Sequence, residues 1–147
     1  MMKHLLVIHG PNLNKLGHTR APKWYGSLTL LEINRFLTKQ ARLKKYQLST
    51  YQSNVEGQIV NKIQSFCPRV KGILINPAAY SHTSVAIRDA LMDAALPCVE
   101  VHMSNIYQRE PFRRHSLISD VVSGQVIGFG PQSYRLGLEA LMNLIEK

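Results

Sequence analysis

The sequence predicts an α/β fold built on a five-stranded parallel sheet. Five apolar runs suited to buried parallel strands recur along the chain, and each is followed or preceded by a segment with helical character. The runs cover residues 5–8, 48–51, 72–75, 98–101 and 125–129. Strands that alternate with helices in this way favour right-handed crossovers with helices on both faces of the sheet. The predicted architecture is therefore a doubly wound, flavodoxin-like three-layer sandwich.

Four helices are predicted between these strands, from apolar spacing and from residues that begin or end a helix. Thr29 with Glu32 and Ser53 with Glu56 have the spacing of a capping box, which indicates a helix start at each place. Pro97 ends the third helix, since proline interrupts helical hydrogen bonding. The predicted helices cover approximately residues 30–44, 57–66, 84–95 and 132–146.

Length and composition are those of one ordinary globular domain. A chain of 147 residues is long enough for one core and too short for two, so we expect a single catalytic domain over residues 1–147. Hydrophobic residues make up 45% and charged residues 18%, which disfavours a disordered chain. The first residues hold only a short apolar run, so neither a signal segment nor a membrane partner is expected. Cys67 and Cys98 have no metal-type spacing and predict free thiols in a cytoplasmic protein.

The net charge of +9 indicates an anionic partner and leaves its class open. The basic residues are dispersed and no nucleic-acid-binding motif is present, so no nucleic-acid partner is expected and a small anion fits at least as well. A flavin or nucleotide carrier is a further hypothesis, because the fold alone does not fix function. The loop sequence GPNLNKLG, residues 10–17, lacks both common phosphate-loop spacings and argues against that carrier.

Polar side chains follow three of the predicted strands at the point where each strand ends. Glu100 and His102 are two residues apart in one strand, so their side chains share a face. Taken alone, such a pair is more typical of a solvated strand face. In parallel sheets, however, ligands bind beyond the carboxyl ends of the strands. The other polar residues at these ends are Asn12, Asn14, Asn76, His82, Ser104, Asn105, Arg109 and Arg113.

The segment over residues 10–27 is longer than a usual connection between a strand and a helix. It contains glycine, proline, Arg20 and Tyr25, a composition typical of a functional lid. Tyr25 and Trp24 could also simply pack within a long loop, and His82 could simply precede a helix. The residue pattern alone leaves these alternatives open.

Five segments together resemble the type II 3-dehydroquinate dehydratase family. They are HGPNLNKLG (9–17), TRAPKWYG (19–26), NPAAYSHTSVAIRDA (76–90), EVHMSN (100–105) and REPFRRHS (109–116). The resemblance runs nearly end to end and includes QSNVEGQ (52–58) and GFGPQSY (128–134). It implies a flavodoxin-like fold and the dehydration of 3-dehydroquinate to 3-dehydroshikimate through an enolate, without metal or cofactor. It also implies a role in the shikimate pathway or in quinate breakdown, and a homododecamer built from trimers.

The resemblance assigns the chemistry to particular residues. Tyr25 matches the catalytic base, and because a tyrosine has an ordinary pKa of about 10, this role requires nearby positive charge. Arg20 matches the residue that supplies that charge, and Arg113 adds to it. His102 matches the general acid that protonates the departing hydroxyl, with Glu100 as its orienting partner.

The remaining matches bind water or substrate. Asn12 matches a residue that holds a water near the developing enolate, where a fixed donor favours the transition state. Asp89 matches a residue that reaches the site from a neighbouring subunit. The other substrate-binding matches are Asn76, His82, the backbone at Met103, Ser104, Arg109 and Arg113. The segment around Tyr25 departs from the family pattern, since His18 is inserted and Ala21 replaces an acid, so we expect the lid to order differently.

Overall fold

A computed structural model describes residues 1–147 and contains the predicted sheet. Its strands, β1 to β5, cover Lys3–His9, Tyr46–Gln52, Gly72–Asn76, Cys98–His102 and Gly124–Ile127. All neighbouring strands pair in parallel in the order β2-β1-β3-β4-β5. This order reverses direction between β1 and β3, as in flavodoxin-like sheets, and the predicted fold class is confirmed.

Five α-helices connect or follow these strands. The helices, α1 to α5, cover Pro22–Tyr25, Leu30–Leu43, Glu56–Phe66, Val85–Ala94 and Gln132–Glu146. The four long helices match the predicted ones to within about two residues at each end. None of them combines the length and the apolar character that crossing a membrane requires.

Two apolar clusters cover the two faces of the sheet. Leu5 and Val7 of β1 pack with α2 and α5, whereas Leu6 and Ile8 pack with α3 and α4. Because successive strand residues point to opposite faces, a strand covered on both sides must be apolar at nearly every position. The central strands β1, β3 and β4 therefore form the middle of three layers.

The predicted capping box is present at α2 and absent at α3. Thr29 Oγ1 accepts a hydrogen bond from the Glu32 N–H at 3.2 Å, and Glu32 Oε2 accepts one from the Thr29 N–H at 3.0 Å. Ser53 and Glu56 form no capping box, although the helix start that their spacing predicted is confirmed. The Ser53 N–H still donates to the His9 carbonyl, so Ser53 continues the ladder between β1 and β2, and Val55 becomes the residue that precedes α3.

The fifth strand is shorter than predicted and ends before Gly128. Gly128 has a φ of 98°, a left-handed conformation that stops the strand, and its N–H donates to the His102 carbonyl at 3.0 Å. Phe129 therefore lies outside the strand, and its N–H donates to Ser133 Oγ in the first turn of α5.

A glycine on α5 sets how closely this helix approaches the sheet. A Cβ atom at Gly137 would lie 2.6 Å from Val101 Cγ2 and 2.9 Å from Leu74 Cδ1. Valine has one preferred rotamer and moves aside poorly. The contact distance between α5 and the strands β3 and β4 therefore depends on the missing side chain.

We predict that Gly137→Ala lowers the free energy of unfolding by about 1 kcal/mol, as overpacking costs about 1–3 kcal/mol against a gain in helix propensity of about 1 kcal/mol. Gly57→Ala on α3 is the matched control, because a Cβ there meets no atom within 4 Å. Urea unfolding of both variants measures the difference. A Gly137→Ala protein as stable as Gly57→Ala would contradict the packing argument.

Candidate active site

A cleft lies at the carboxyl edge of the sheet, where the loops after β1, β3 and β4 meet. Its lining includes every residue that the family resemblance assigns to the site except Glu100 and Asp89, whereas Asn14 and Asn105, also at strand ends, lie outside it. The assigned residues that line it are Asn12, Arg20, Tyr25, Asn76, His82, His102, Met103, Ser104, Arg109 and Arg113. The cleft therefore lies at the ends of β1 and β3, where the strand order reverses, the position at which parallel α/β sheets bind ligands.

Glu100 lies directly beneath the cleft, with no exposed surface, and its carboxylate accepts hydrogen bonds from three side chains. Oε2 accepts from His102 Nε2 at 2.5 Å and from Ser116 Oγ at 2.8 Å, and Oε1 accepts from Gln125 Nε2 at 2.8 Å. Burial by itself would raise the pKa of Glu100, yet these bonds and the adjacent imidazole hold that pKa below its ordinary value. Glu100 is therefore a buried carboxylate with full hydrogen bonding.

The Glu100 bond fixes the orientation of His102. Because Nε2 faces the carboxylate, the ring presents its other edge to the cleft, and 5% of the residue is exposed. The solvated-face interpretation of the pair is wrong, since β4 lies between β3 and β5 and both of its faces are covered.

His82 lies parallel to His102, with ring centroids 6.4 Å apart. Its Nδ1–H donates to the His115 carbonyl at 2.9 Å, which leaves Nε2 as an acceptor. Burial, followed by the positive charges of His102 and Arg113, lowers the pKa of His82, whereas its backbone hydrogen bond opposes that shift. His82 ends the 3₁₀ helix Ala78–His82 just before α4, which Ser84 caps, and it also lines the cleft.

Tyr25 is the last residue of α1, a one-turn helix that begins at Pro22. Its hydroxyl accepts a hydrogen bond from Arg109 Nη1 at 2.6 Å. The Arg20 guanidinium lies over the tyrosine ring, 4.1 Å from the centroid, and Arg109 also lies 4.9 Å from the Trp24 ring centroid. Both arginines therefore act on Tyr25, and the direct hydrogen bond comes from Arg109, which the sequence had assigned only to substrate binding.

Three arginines line the cleft, and two of them, Arg20 and Arg109, have no carboxylate partner. The Nε atoms of Arg20 and Arg109 are buried and make no hydrogen bond. Arg109 Nη1 also donates to Ser104 Oγ at 3.3 Å, and Arg113 pairs with the exposed Glu110. Two guanidinium groups without a carboxylate partner make the cleft suited to an anionic ligand.

Asn12 lies at the rim of the cleft in a left-handed backbone conformation, with a φ of 68°. Its N–H donates to Asn54 Oδ1 at 2.9 Å, and Gln52 Nε2 donates to the same oxygen at 3.0 Å. The loop after β2 therefore stabilises the conformation of the loop after β1. Asparagine tolerates this conformation better than most residues.

Asp89 is exposed on α4 and does not line the cleft of this chain. Its predicted role needs a second subunit and stays a prediction. No three His, Cys, Asp or Glu side chains lie close enough together to hold a metal ion.

Four residues around the site were not predicted. Ser116 and Gln125 bind Glu100, and Gln125 is brought there by the pairing of Glu100 with Gln125 between β4 and β5. His9 and Tyr134 lie behind Asn76, whose Nδ2 donates to the Tyr134 hydroxyl at 3.0 Å. Ser116, His9 and Tyr134 occur in the recognised sequence segments, but nothing in the local pattern indicates their partners.

His9 is completely buried at the end of β1. Its Nδ1 bonds to the Tyr134 hydroxyl at 2.8 Å and its Nε2 to Asn34 Oδ1 at 2.7 Å. Burial lowers the pKa of His9 to about 4, although the Asn34 bond opposes the shift. The folded protein therefore keeps this imidazole neutral well below the pH at which a histidine in an unfolded chain takes up a proton.

We predict that His9 weakens the fold as the pH falls from about 6.5 to about 4, because only the unfolded chain binds the proton in this window. In His9→Gln, which lacks this proton uptake, the free energy of unfolding should fall by about 3 kcal/mol less over the same range. His18→Gln, which removes an exposed histidine, is the control, and the prediction requires a smaller slope in His9→Gln than in His18→Gln. Urea unfolding at several pH values gives the slopes, and equal slopes in all three proteins would contradict the prediction.

Sequence comparison gives a family match over nearly the whole chain. The family model described as "Dehydroquinase class II" matches residues 3–142. The 3-dehydroquinate dehydratase of Geotalea daltonii is 55% identical over 143 residues, which cover 97% of this chain and 99% of that protein.

Solved structures give the same result. The type II dehydroquinase from Butyrivibrio crossotus has a TM-score of 0.93 and 39% identity, with 96% of this chain and 98% of that chain covered. The type II dehydroquinase from Propionibacterium acnes has a TM-score of 0.91 and 38% identity, with 100% and 99% covered. The family likeness therefore extends over the fold as well as the sequence.

Proposed function

The chain belongs to the class II dehydroquinase family, and on that premise we propose that it dehydrates 3-dehydroquinate to 3-dehydroshikimate. The observation that carries the proposal is that a candidate base and a candidate acid, each held by its own partner, line the same cleft. The Tyr25 hydroxyl bonded to Arg109 lines it together with His102, which is bonded to the buried Glu100. One pair is suited to take a proton and the other to give one.

In this proposal Tyr25 removes a proton from C2 of the substrate, next to the C3 ketone. The Arg109 hydrogen bond and the Arg20 guanidinium over the ring both favour the phenolate form that a base requires. The electron pair of the broken C–H bond moves into the ketone and forms an enolate. Asn12 at the rim of the cleft then holds a water that donates to the enolate oxygen.

His102 completes the elimination as general acid. The enolate collapses to form the double bond between C1 and C2, the C1–O bond breaks, and His102 gives its proton to the departing hydroxyl, which leaves as water. The Glu100 carboxylate keeps the imidazole aligned and stabilises its protonated form beforehand. Ser116 and Gln125 in turn keep Glu100 ionised and fixed.

The remaining polar groups of the cleft bind the substrate in this proposal. We propose that Asn76, His82, Ser104 and the Met103 backbone bind the substrate hydroxyls and carboxylate. Arg113 adds positive charge beside them. The Arg20 and Arg109 guanidinium groups have no carboxylate partner in the protein, which supports an anionic substrate.

We further propose that the active form is a homododecamer of trimers in which Asp89 of one subunit completes the cleft of another. Asp89 supports this assignment by being exposed on α4 and outside its own cleft.

We predict that Tyr25→Phe lowers kcat at least about 10³-fold while substrate affinity changes little, because one hydroxyl carries the proton transfer and many groups carry binding. The assay follows the absorbance of the conjugated enone product, and calorimetric titration of 3-dehydroquinate into the variant measures affinity. Tyr107→Phe is the control, since Tyr107 is exposed and outside the cleft. Near-wild-type turnover of Tyr25→Phe would contradict the base assignment, and a wild type without product would contradict the proposed function.

For the subunit contact, we predict that Asp89→Asn raises KM about tenfold in a protein that stays assembled, since a hydrogen bond to a charged group is worth about 1.5–3 kcal/mol. Light scattering gives the assembly state of each variant. Asp93→Asn, one turn further along α4 and also exposed, is the control. A fully active monomer would overturn the proposal.

A further inference from the structure

Behind Asn76, four side chains form one continuous chain of hydrogen bonds. Asn76 Nδ2 donates to the Tyr134 hydroxyl at 3.0 Å, the Tyr134 hydroxyl lies 2.8 Å from His9 Nδ1, and His9 Nε2 lies 2.7 Å from Asn34 Oδ1. Asn76 and His9 are opposite each other in the paired strands β3 and β1. Asn34 belongs to α2 and Tyr134 to α5, so the chain joins two strands to two helices.

The direction of each hydrogen bond follows from the one at Asn76. Asn76 Oδ1 accepts from the Ala78 N–H at 3.1 Å, which identifies Nδ2 as the atom that faces Tyr134. The Tyr134 oxygen is therefore an acceptor from Asn76 and must give its own hydrogen to His9 Nδ1. His9 then carries its hydrogen on Nε2 and donates it to Asn34 Oδ1.

This direction requires a neutral His9. A doubly protonated ring would offer a second donor to Tyr134 and leave the tyrosine hydrogen without an acceptor. The pKa of His9, lowered to about 4 by burial, agrees with the neutral ring. Tyr134 is also completely buried, which raises its pKa and keeps it a phenol.

Of the four hydrogen-bonded side chains, only Asn76 reaches the cleft. Asn76 lines it, whereas Tyr134, His9 and Asn34 do not. Nδ2 of Asn76 carries two hydrogens, and the bond to Tyr134 uses one of them. The second remains for a ligand.

We propose that Tyr134 and His9 are positioning residues that hold the Asn76 amide so that its free N–H donates to a hydroxyl or carboxylate oxygen of the substrate. The inference rests on the proposed function. An amide bound at one end only is free to turn about its last torsion, which has a broad and nearly two-fold profile. Ala78 holds the oxygen end and Tyr134 holds the nitrogen end, so neither rotation nor exchange of the two ends is available.

The kinetic test is a double-mutant cycle between Tyr134→Phe and Asn76→Ala. We expect Tyr134→Phe to raise KM about tenfold with kcat within about threefold, because the lost interaction stabilises the bound substrate and the transition state equally. In the Asn76→Ala background the same substitution should change KM by less than about twofold, because the group that it positions is gone. Equal effects in the two backgrounds, or an unchanged KM in a folded Tyr134→Phe protein, would overturn the proposal.

Two further comparisons separate positioning from loss of stability. Tyr46→Phe is the matched control, since Tyr46 is also buried but its hydroxyl bonds Glu146, outside the cleft. We expect it to alter the thermal midpoint without raising KM. His9→Phe should raise KM as Tyr134→Phe does, whereas His9→Gln, whose amide supplies both an acceptor and a donor, should recover most of the wild-type value.

Nitrogen NMR of the imidazole tests the hydrogen-bond chain without reference to activity. We expect His9 at pH 7 as the neutral tautomer with its hydrogen on Nε2, and a change in its Nδ1 shift in Tyr134→Phe. The opposite tautomer or a charged ring would overturn the proposal. If the wild type did not turn over 3-dehydroquinate, the proposed function would fail. The tautomer of His9 would still show whether the hydrogen bonds from Asn76 to Asn34 run in the direction given above.

Discussion

Burial of the central strands on both faces is the constraint on which the rest of the molecule depends. β1, β3 and β4 lie between two helical layers, so nearly every side chain along them must be apolar. Polar side chains are then concentrated where these strands end and the chain turns away from the core. Since all five strands are parallel, their carboxyl ends meet at one edge of the sheet, and residues distant in sequence converge there.

Glu100 is the exception to that rule, since it places a carboxylate inside the sheet. An unpaired buried charge would cost several kcal/mol, about as much as the stability of a small domain. Here His102, Ser116 and Gln125 satisfy its oxygens, so the carboxylate stays ionised and fixes the imidazole. On the other side of the cleft, Arg20 and Arg109 surround Tyr25. The site thus separates a negative half beneath His102 from a positive half around Tyr25.

Local patterns succeeded where the physical cause was local. Thr29 and Glu32 form the expected capping box because both partners belong to the same helix start. Ser53 and Glu56 have the same spacing and mark a helix start correctly, but they form no capping box, because strand pairing with His9 holds Ser53 outside the helix. The strand spacing placed Glu100 and His102 on one face, but only their position in an interior strand shows that this face is buried.

The sequence by itself determined the α/β fold, the family, and the polar side chains that line the cleft. The fold follows from periodicity, and the family and its site residues follow from recognisable segments. The tertiary structure alone decided which of those side chains touch. It paired Tyr25 with Arg109, Glu100 with Gln125, and Asn76 with Tyr134 and His9. The physical reason is that these partners are separated by 25 to 125 positions along the chain, so their contacts depend on strand register and helix packing rather than on local spacing.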